Sequence, residues 1–284
     1  MPIRIVTDST ADISTEIVEK LGITVVPVYV RFGNDVFRDG VDICQDAVYQ
    51  RMLAENSIPT TSQPTPADFS NTYSELLKAE GDIVSIHLSC KLSGTYNSAQ
   101  TGRDLTTAKN RVTVLDSMSL SMGLGLSVIT AARLAQAGAN LESIINSVKE
   151  TPSVTRIVAV FDTLKYVLRS GRLGAAKALI GGILNVKPMI TLRDGTFWPV
   201  GIARTRSKAL DSLVEMVKKS SHIEDIAIVY ATTLDEALSL KKQLSSYVDA
   251  GRLYVSCLGP ALGAHGGPGT IIVALRQRML PATV

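Results

Sequence analysis

Apolar positions along this chain follow two alternating patterns. Short runs rich in β-branched residues predict strands, and apolar residues three or four positions apart predict helices. The runs predict strands at 3–6, 24–32, 36–37, 82–88, 112–115, 156–161, 187–192, 197–202, 226–230, 253–256 and 271–275. The helical spacing predicts helices at 15–21, 45–54, 66–79, 122–137, 141–149, 163–170, 175–184, 206–219 and 235–247, and another that begins at residue 96. This alternation indicates an α/β protein.

The order of these elements predicts two domains. Residues 1–152 are expected to form a parallel sheet with covering helices, because strands and helices alternate there. Residues 153–284 are expected to form a mixed sheet, since Asp194-Gly195 between two apolar runs is typical of an antiparallel hairpin. The segment Thr151-Pro152-Ser153 is the predicted boundary. A length of 284 residues is consistent with about two domains.

Polar residues cluster where several predicted strands end. In an open α/β sheet, ligands bind at the carboxyl ends of the strands. Hydroxyl groups, backbone N–H groups and helix N-termini there favour an anion such as a carboxylate or a phosphate. The candidate positions are Thr7 to Thr10, Thr60 to Gln63, Ser89, Ser93 to Thr95, Asp116, Ser117 and His265.

Each of these clusters also has a purely structural interpretation. Asp8 with its neighbours and Ser93-Gly94-Thr95 are both plausible helix caps, and Thr61-Ser62 suits a turn in the proline-rich segment 57–66, predicted to be a loop. His265 is the strongest candidate, because the glycine-rich loop predicted at 259–269 places nothing apolar around it. His222 is expected on the surface, and His87 alternates within a strand as a satisfied core or interface histidine.

Charge, cysteine content and missing motifs exclude several function classes. Twenty-nine Lys and Arg against 26 Asp and Glu give a net charge of +3, too small to indicate nucleic-acid binding. The three cysteines have no paired spacing, and His-rich metal motifs are absent, so we expect neither disulfides nor a metal. Glycine-rich nucleotide motifs and G-x-S-x-G are also missing. Without a signal peptide or an apolar run of about 18 residues, a cytoplasmic protein is expected.

Seven short segments together carry a family resemblance. They are Thr7-Asp-Ser-Thr-Ala-Asp12, Thr61-Ser-Gln-Pro64, Leu92-Ser-Gly-Thr95, Asp116-Ser117, Gly171-Arg172, Lys187-Pro188 and His265-Gly-Gly-Pro-Gly269. In this order they resemble the DegV family of bacterial fatty-acid-binding proteins, over essentially the whole chain. The resemblance implies a two-domain α/β fold, with an α/β/α domain at 1–152, a mixed-sheet domain at 153–284 and the ligand site at their contact.

The resemblance also implies a function for particular residues. Thr61, Ser93 and His265 would hold the carboxylate of a long-chain fatty acid. Ser62, Gly94 and Thr95 of the same two motifs are also predicted to bind it. The family presents its fatty acid to a separate fatty acid kinase, which makes an acyl phosphate for lipid synthesis. This implies a carrier without catalysis or cofactor of its own, with at most transient contact with a membrane surface. Arg172 and Arg204 match positions attributed to partner contact, although Ser170 replaces a glycine of the family's motif.

Two enzymatic alternatives remain open from the sequence. The fold is also similar to the substrate domain of dihydroxyacetone kinases, in which a histidine holds a small carbonyl compound. In that case His265 would bind the substrate in a small polar site. In a hydrolase, His265 would instead activate Ser93 as a nucleophile.

Overall fold

The computed structural model of the chain describes residues 2–55, 57–179 and 186–278. Within these ranges, the strands are β1 (Ile3–Asp8), β2 (Thr24–Val26), β3 (Tyr29–Phe32), β4 (Asp35–Arg38), β5 (Thr60–Ser62), β6 (Asp82–His87), β7 (Val112–Asp116), β8 (Thr155–Val160), β9 (Lys187–Arg193), β10 (Thr196–Ala203), β11 (Ile223–Tyr230), β12 (Leu253–Cys257) and β13 (Ile271–Gln277). The α-helices are α1 (Thr15–Leu21), α2 (Gln45–Ala54), α3 (Pro66–Leu76), α4 (Thr95–Asp104), α5 (Ser121–Gln136), α6 (Leu141–Lys149), α7 (Thr151–Val154), α8 (Lys165–Arg169), α9 (Arg206–Lys218), α10 (Leu234–Leu244) and α11 (Pro260–Gly266).

The first half of the chain builds a parallel sheet in the order β2-β1-β6-β7. Consecutive apolar residues such as Ile5-Val6 and Ile83-Val84 are buried on opposite faces, which is typical of a parallel sheet covered on both sides. Phe69 and Tyr73 of α3 pack with Ala99 of α4 on one face, and α5 covers the other. The predicted α/β/α arrangement is therefore present.

The second half builds a mixed sheet in the order β10-β9-β8-β13-β11-β12. Only the β11–β12 pair is parallel among these neighbours, and the others are antiparallel. The predicted hairpin joins β9 to β10 at Asp194-Gly195, where both residues have positive φ (49° and 72°) as a two-residue type I′ turn requires. Helices α9 and α10 cover one face through Leu213 and Leu240.

The two sheets share one core through α5. This helix packs against β1 of the parallel sheet and against β11 and β13 of the mixed sheet. Leu124, Leu126 and Ile129 have no solvent exposure, in one cluster with Ile86 and Ile272. The segment predicted as the boundary forms the short helix α7, between the two sheets in sequence. No helix within the described ranges is long and apolar enough to cross a membrane.

The strand predicted at 24–32 is wrong in its continuity. The strand is interrupted at Pro27, which has no N–H to donate to a sheet. The next residue, Val28, donates its N–H to the Ser9 hydroxyl at 3.0 Å instead. β2 stays in the parallel sheet, whereas β3 turns into a third, antiparallel sheet in the order β4-β3-β5. The predicted loop at 57–66 therefore contains strand β5, which carries Thr61 and Ser62.

The predicted loop at 259–269 is also wrong, because it contains helix α11 with His265 near its C-terminal end. Pro260 occupies the first helical position, which proline favours. The prediction is wrong because it rests on the glycines of this segment, which have low helix propensity. In the helix predicted at 175–184, Gly174–Leu179 form a 3₁₀ helix, and 180–184 lies outside the described residues.

Candidate functional site

A cavity of about 310 Å³ lies among β5, β8, β10, β13, α8 and α11. Pockets of this size, mostly apolar with a few placed polar groups, are typical small-molecule sites. Its apolar wall includes Val28, Leu88, Phe161, Val167, Phe197 and Ile272. Its polar side chains include Thr61, Ser62, Gln63, Ser93, Arg172 and His265. Of the six residues predicted to hold the ligand, the structure thus places four on one cavity.

His265 and Thr61 meet across this cavity from distant parts of the chain. The imidazole Nε2 lies 2.7 Å from the Thr61 hydroxyl, and either atom can donate, depending on the tautomer. Burial lowers the pKa of His265 to about 4, and the nearby charge of Arg172 adds to the decrease. The imidazole is therefore neutral at pH 7, with one N–H donor and one lone pair. The pair can direct a hydrogen-bond donor at a ligand.

The Ser93-Gly94-Thr95 motif leads into α4. The Ser93 hydroxyl lies 2.9 Å from that of Thr95 and accepts the Thr95 N–H at 3.3 Å. Thr95 is fully buried, and neither it nor Gly94 lines the cavity, so both stand behind Ser93 rather than facing a ligand. A Cβ at Gly94 would collide with the Gln63 side chain. Gly94 therefore leaves room for that amide to reach the cavity.

Gln63 is among the polar candidate positions of the sequence but not among the six residues predicted to bind the ligand. It lines the cavity, and its Nε2 donates to the Ser98 hydroxyl at 3.1 Å. Its position directly after Thr61 and Ser62 and before Pro64 could have identified it. What the sequence did not reveal is the close packing of residue 63 on Gly94.

The two arginines expected to contact a partner occupy different places. Arg172 lines the cavity, and its Nε donates to the Leu92 carbonyl at 2.8 Å, while the residue remains largely exposed. Arg204 is exposed, follows β10 and does not line the cavity. Arg172 can therefore act on a ligand as well as on a partner, which the sequence alone did not suggest.

Ser93 and His265 are not bonded to each other in this cavity. Ser93 is bonded to Thr95 and His265 to Thr61, so the serine–histidine contact of a nucleophile and its base is missing from this cavity. His87 is a satisfied core histidine, as expected: Nδ1 is 2.9 Å from Asp8 and Nε2 is 2.7 Å from Ser85. No cluster of three metal-ligating side chains occurs in the described part of the chain.

Comparison with known proteins decides the family. A family model described as an uncharacterised protein of the DegV family matches residues 2–278. The chain belongs to the DegV family. A DegV domain-containing protein of Caldanaerobacter subterraneus is 36% identical over 279 residues, which cover 97% of this chain and 99% of that protein.

Two solved DegV structures have the same fold. One, from Thermus thermophilus, is described by its fatty acid binding and superposes with a TM-score of 0.90 at 32% identity, covering 98% of this chain and 100% of the other. The second, a fatty acid binding protein from Bacillus subtilis, gives a TM-score of 0.87 at 30% identity, with the same coverage. The mixed α/β fold predicted from the sequence is thereby confirmed.

Proposed function

We propose that this chain binds a long-chain fatty acid and presents it to a separate fatty acid kinase. The observation that carries this proposal is the cavity, whose apolar wall adjoins one contiguous polar group. Thr61, Ser62 and Gln63 are consecutive, Thr61 contacts His265, and Gln63 packs on Gly94 beside Ser93. The DegV structures from Thermus thermophilus and Bacillus subtilis, both described as fatty acid binding, support the same ligand class.

The polar group suits a carboxylate. A carboxylate taken out of water must receive several hydrogen bonds, and those to an ionised acceptor are the strong ones. Hydroxyls of Thr61 and Ser93 and the imidazole of His265 are donors on the cavity wall. Arg172 adds positive charge close enough to affect the pKa of His265. Together they can hold the ligand's head without a metal ion.

The apolar wall suits an alkyl chain. Burial of each CH₂ contributes about 0.8 kcal/mol, so affinity rises with chain length until the cavity is filled. A small carbonyl compound would leave most of this wall without a contact. We propose 1–152 and 153–284 as the two domains, and the cavity takes wall residues from both ranges.

The phosphoryl-transfer step belongs to a partner. The sequence has no nucleotide-binding motif, and its resemblance to carriers implies an acyl phosphate made by a kinase that supplies the ATP. Arg172 and Arg204 are exposed and available to such a partner. We place this function in the cytoplasm, in agreement with the free cysteines 44, 90 and 257, as a step toward lipid synthesis.

Organic extraction of the purified protein, followed by mass spectrometry, tests the ligand. We expect about one long-chain fatty acid per chain, recovered intact. The variant Thr101→Ala/Ser212→Ala is the control for removal of the cavity hydroxyls of Thr61 and Ser93. It removes two exposed hydroxyls that donate only to their own helices. An extract that stays empty after incubation with fatty acids would reject the carrier function.

Reconstitution with a fatty acid kinase tests the presentation step. Compared at equal lipid loading, Arg172→Ala is expected to lose most acyl-phosphate formation, because the partner contact is removed. Arg169→Ala is the matched control, since Arg169 is an exposed arginine on the neighbouring helix α8 and does not line the cavity. Normal turnover with Arg172→Ala would contradict the partner role.

A further inference from the structure

The start of helix α11 is held by two carboxyl groups from the other end of the chain. Asp12 accepts the Gly259 N–H at Oδ1 (2.9 Å), and Asp39 accepts the Ala261 N–H at Oδ2 (3.2 Å). Pro260, between them, has no N–H. Gly259 has no side chain with which to cap the helix itself, so these contacts satisfy backbone donors that a helix start leaves free.

Both carboxyl groups are buried and held in turn by serine hydroxyls. Asp12 accepts the Ser121 hydroxyl at 2.6 Å, and Asp39 accepts the Ser9 hydroxyl at 2.9 Å. Burial raises the pKa of Asp12 to about 8 and that of Asp39 to about 6. A Cβ on Gly259 would lie 3.0 Å from Asp12 Oδ1, so a glycine there lets the carboxyl group approach the backbone.

The helix start packs in the core through Leu258 and Ala261 but borders open space on one side. A second cavity, of about 490 Å³, borders Gly259 and Pro260 on the side of Asp12 and Asp39. Ala261 lies on the main cavity instead, and so does His265, one helical turn further along. On the side of this second cavity, hydrogen bonds to the two carboxyl groups hold the start of α11 in place. For the two side chains to act together, the His265 imidazole must stay within hydrogen-bond distance of Thr61 on β5.

We propose that Asp12 and Asp39 are positioning residues for the carboxylate site, acting on the ligand through His265. This inference rests on the proposed fatty-acid function. Neither aspartate lines the main cavity. Their effect on binding is transmitted by the backbone of α11, which fixes the imidazole relative to the Thr61 hydroxyl.

A double-mutant cycle with radiolabelled palmitate on delipidated protein tests this coupling. Asp39→Ala is expected to raise the Kd of palmitate roughly tenfold, and Asp39→Asn by less than about twofold, because the amide oxygen still accepts the Ala261 N–H. In the His265→Ala background, Asp39→Ala should change the Kd by less than about twofold. Asn140→Ala, which removes a side-chain cap from the distant helix α6, should leave the Kd unchanged.

The cycle separates three outcomes. If Asp39→Ala weakens binding equally with and without His265, the aspartate acts by another route, for example through Ser9 and Val28, and the positioning role is rejected. If Asp39→Ala binds palmitate as the wild type does, that role is rejected as well. If His265→Ala itself binds palmitate like the wild type, the proposed carboxylate site fails first.

Imidazole ¹⁵N resonances of the ligand-free protein provide a measurement that does not depend on lipid. His265→Ala assigns the signal among the three histidines. Asp12→Ala, which frees only the Gly259 N–H of α11, serves as a second variant if Asp39→Ala does not fold. We expect either alanine variant to shift the His265 Nε2 resonance and Asn140→Ala to leave it in place. An unshifted resonance in a folded alanine variant would overturn the proposal.

Discussion

The molecule contains two histidines that each contact a hydroxyl group, and their surroundings differ in one respect. His87 lies between Asp8 and Ser85, and Tyr73 donates to Ser85 at 2.8 Å. In this buried hydrogen-bond network every side-chain polar atom has a partner within the protein. His265 contacts Thr61 and has Arg172 nearby, but no carboxylate among the described residues is bonded to it. A closed network serves the fold, whereas an open one leaves the carboxylate position to a ligand.

Breaking the closed network should give the largest effect. Asp8 accepts hydrogen bonds from Thr10 and from the Leu88 N–H in addition to its contact with His87. Asp8→Ala is expected to lower the free energy of unfolding by about 3–5 kcal/mol, because it leaves several buried donors without a partner. Chemical denaturation measures this, with Asp8→Asn as the milder variant. A loss below about 1 kcal/mol would place Asp8 among weak surface pairs instead.

Removal of hydroxyl donors from the cavity wall should weaken ligand binding more than it lowers stability. Thr61→Ala and Ser93→Ala each remove one donor to the carboxylate, at a cost of about 1–3 kcal/mol in ligand binding. The double variant should therefore lose its fatty acid during purification, while its unfolding free energy stays near that of the wild type. Native mass spectrometry reads the retained lipid. Full retention by the double variant would show that the hydroxyls do not hold the carboxylate.

The smallest expected effect is on the pH dependence of stability, through the protonation of His265. Between the ordinary value of 6.5 and the value of about 4 in the folded protein, the unfolded chain binds a proton at His265 that the folded chain does not. The contribution of His265 to the stability of the ligand-free protein should therefore fall with decreasing pH across this range, by roughly 1 kcal/mol per pH unit, while the raised pKa values of Asp12 and Asp39 contribute in the opposite direction. His265→Gln should remove that part of the slope. Equal slopes in the two proteins would contradict a buried, neutral imidazole.

Much of the architecture was predictable, because it depends on local pattern. The parallel run of strands, the mixed sheet and the hairpin at Asp194-Gly195 all follow from hydrophobic spacing and turn residues. Strand β5 was missed because three residues in a proline-rich segment become a strand only by pairing with β3. Helix α11 was missed because glycines lower helix propensity, and the contacts of Asp12 and Asp39 that favour it come from more than two hundred residues away in sequence.

The site itself was predictable as a set of donors but not as a geometry. Thr61, Ser62, Ser93 and His265 were identifiable because they are polar residues in loops and glycine-rich segments. Their neighbours were not, since the approach of Gln63 to Gly94 and the position of Arg172 on the cavity depend on how distant elements pack. The contacts of Asp12 and Asp39 with the start of α11 were not predictable either, because their partners lie more than two hundred residues away in sequence.

Helix α5 has a consequence for how the chain is made. Its apolar surface is covered partly by β1, which precedes it, and partly by β11 and β13, which follow it in sequence and leave the ribosome later. During synthesis the nascent chain therefore carries a helix with one side uncovered, a state in which exposed apolar surface favours aggregation. The order of elements delays completion of this core until β11 and β13 have been synthesised, so protection of α5 in that interval falls to chaperones or to transient contacts within the unfinished chain.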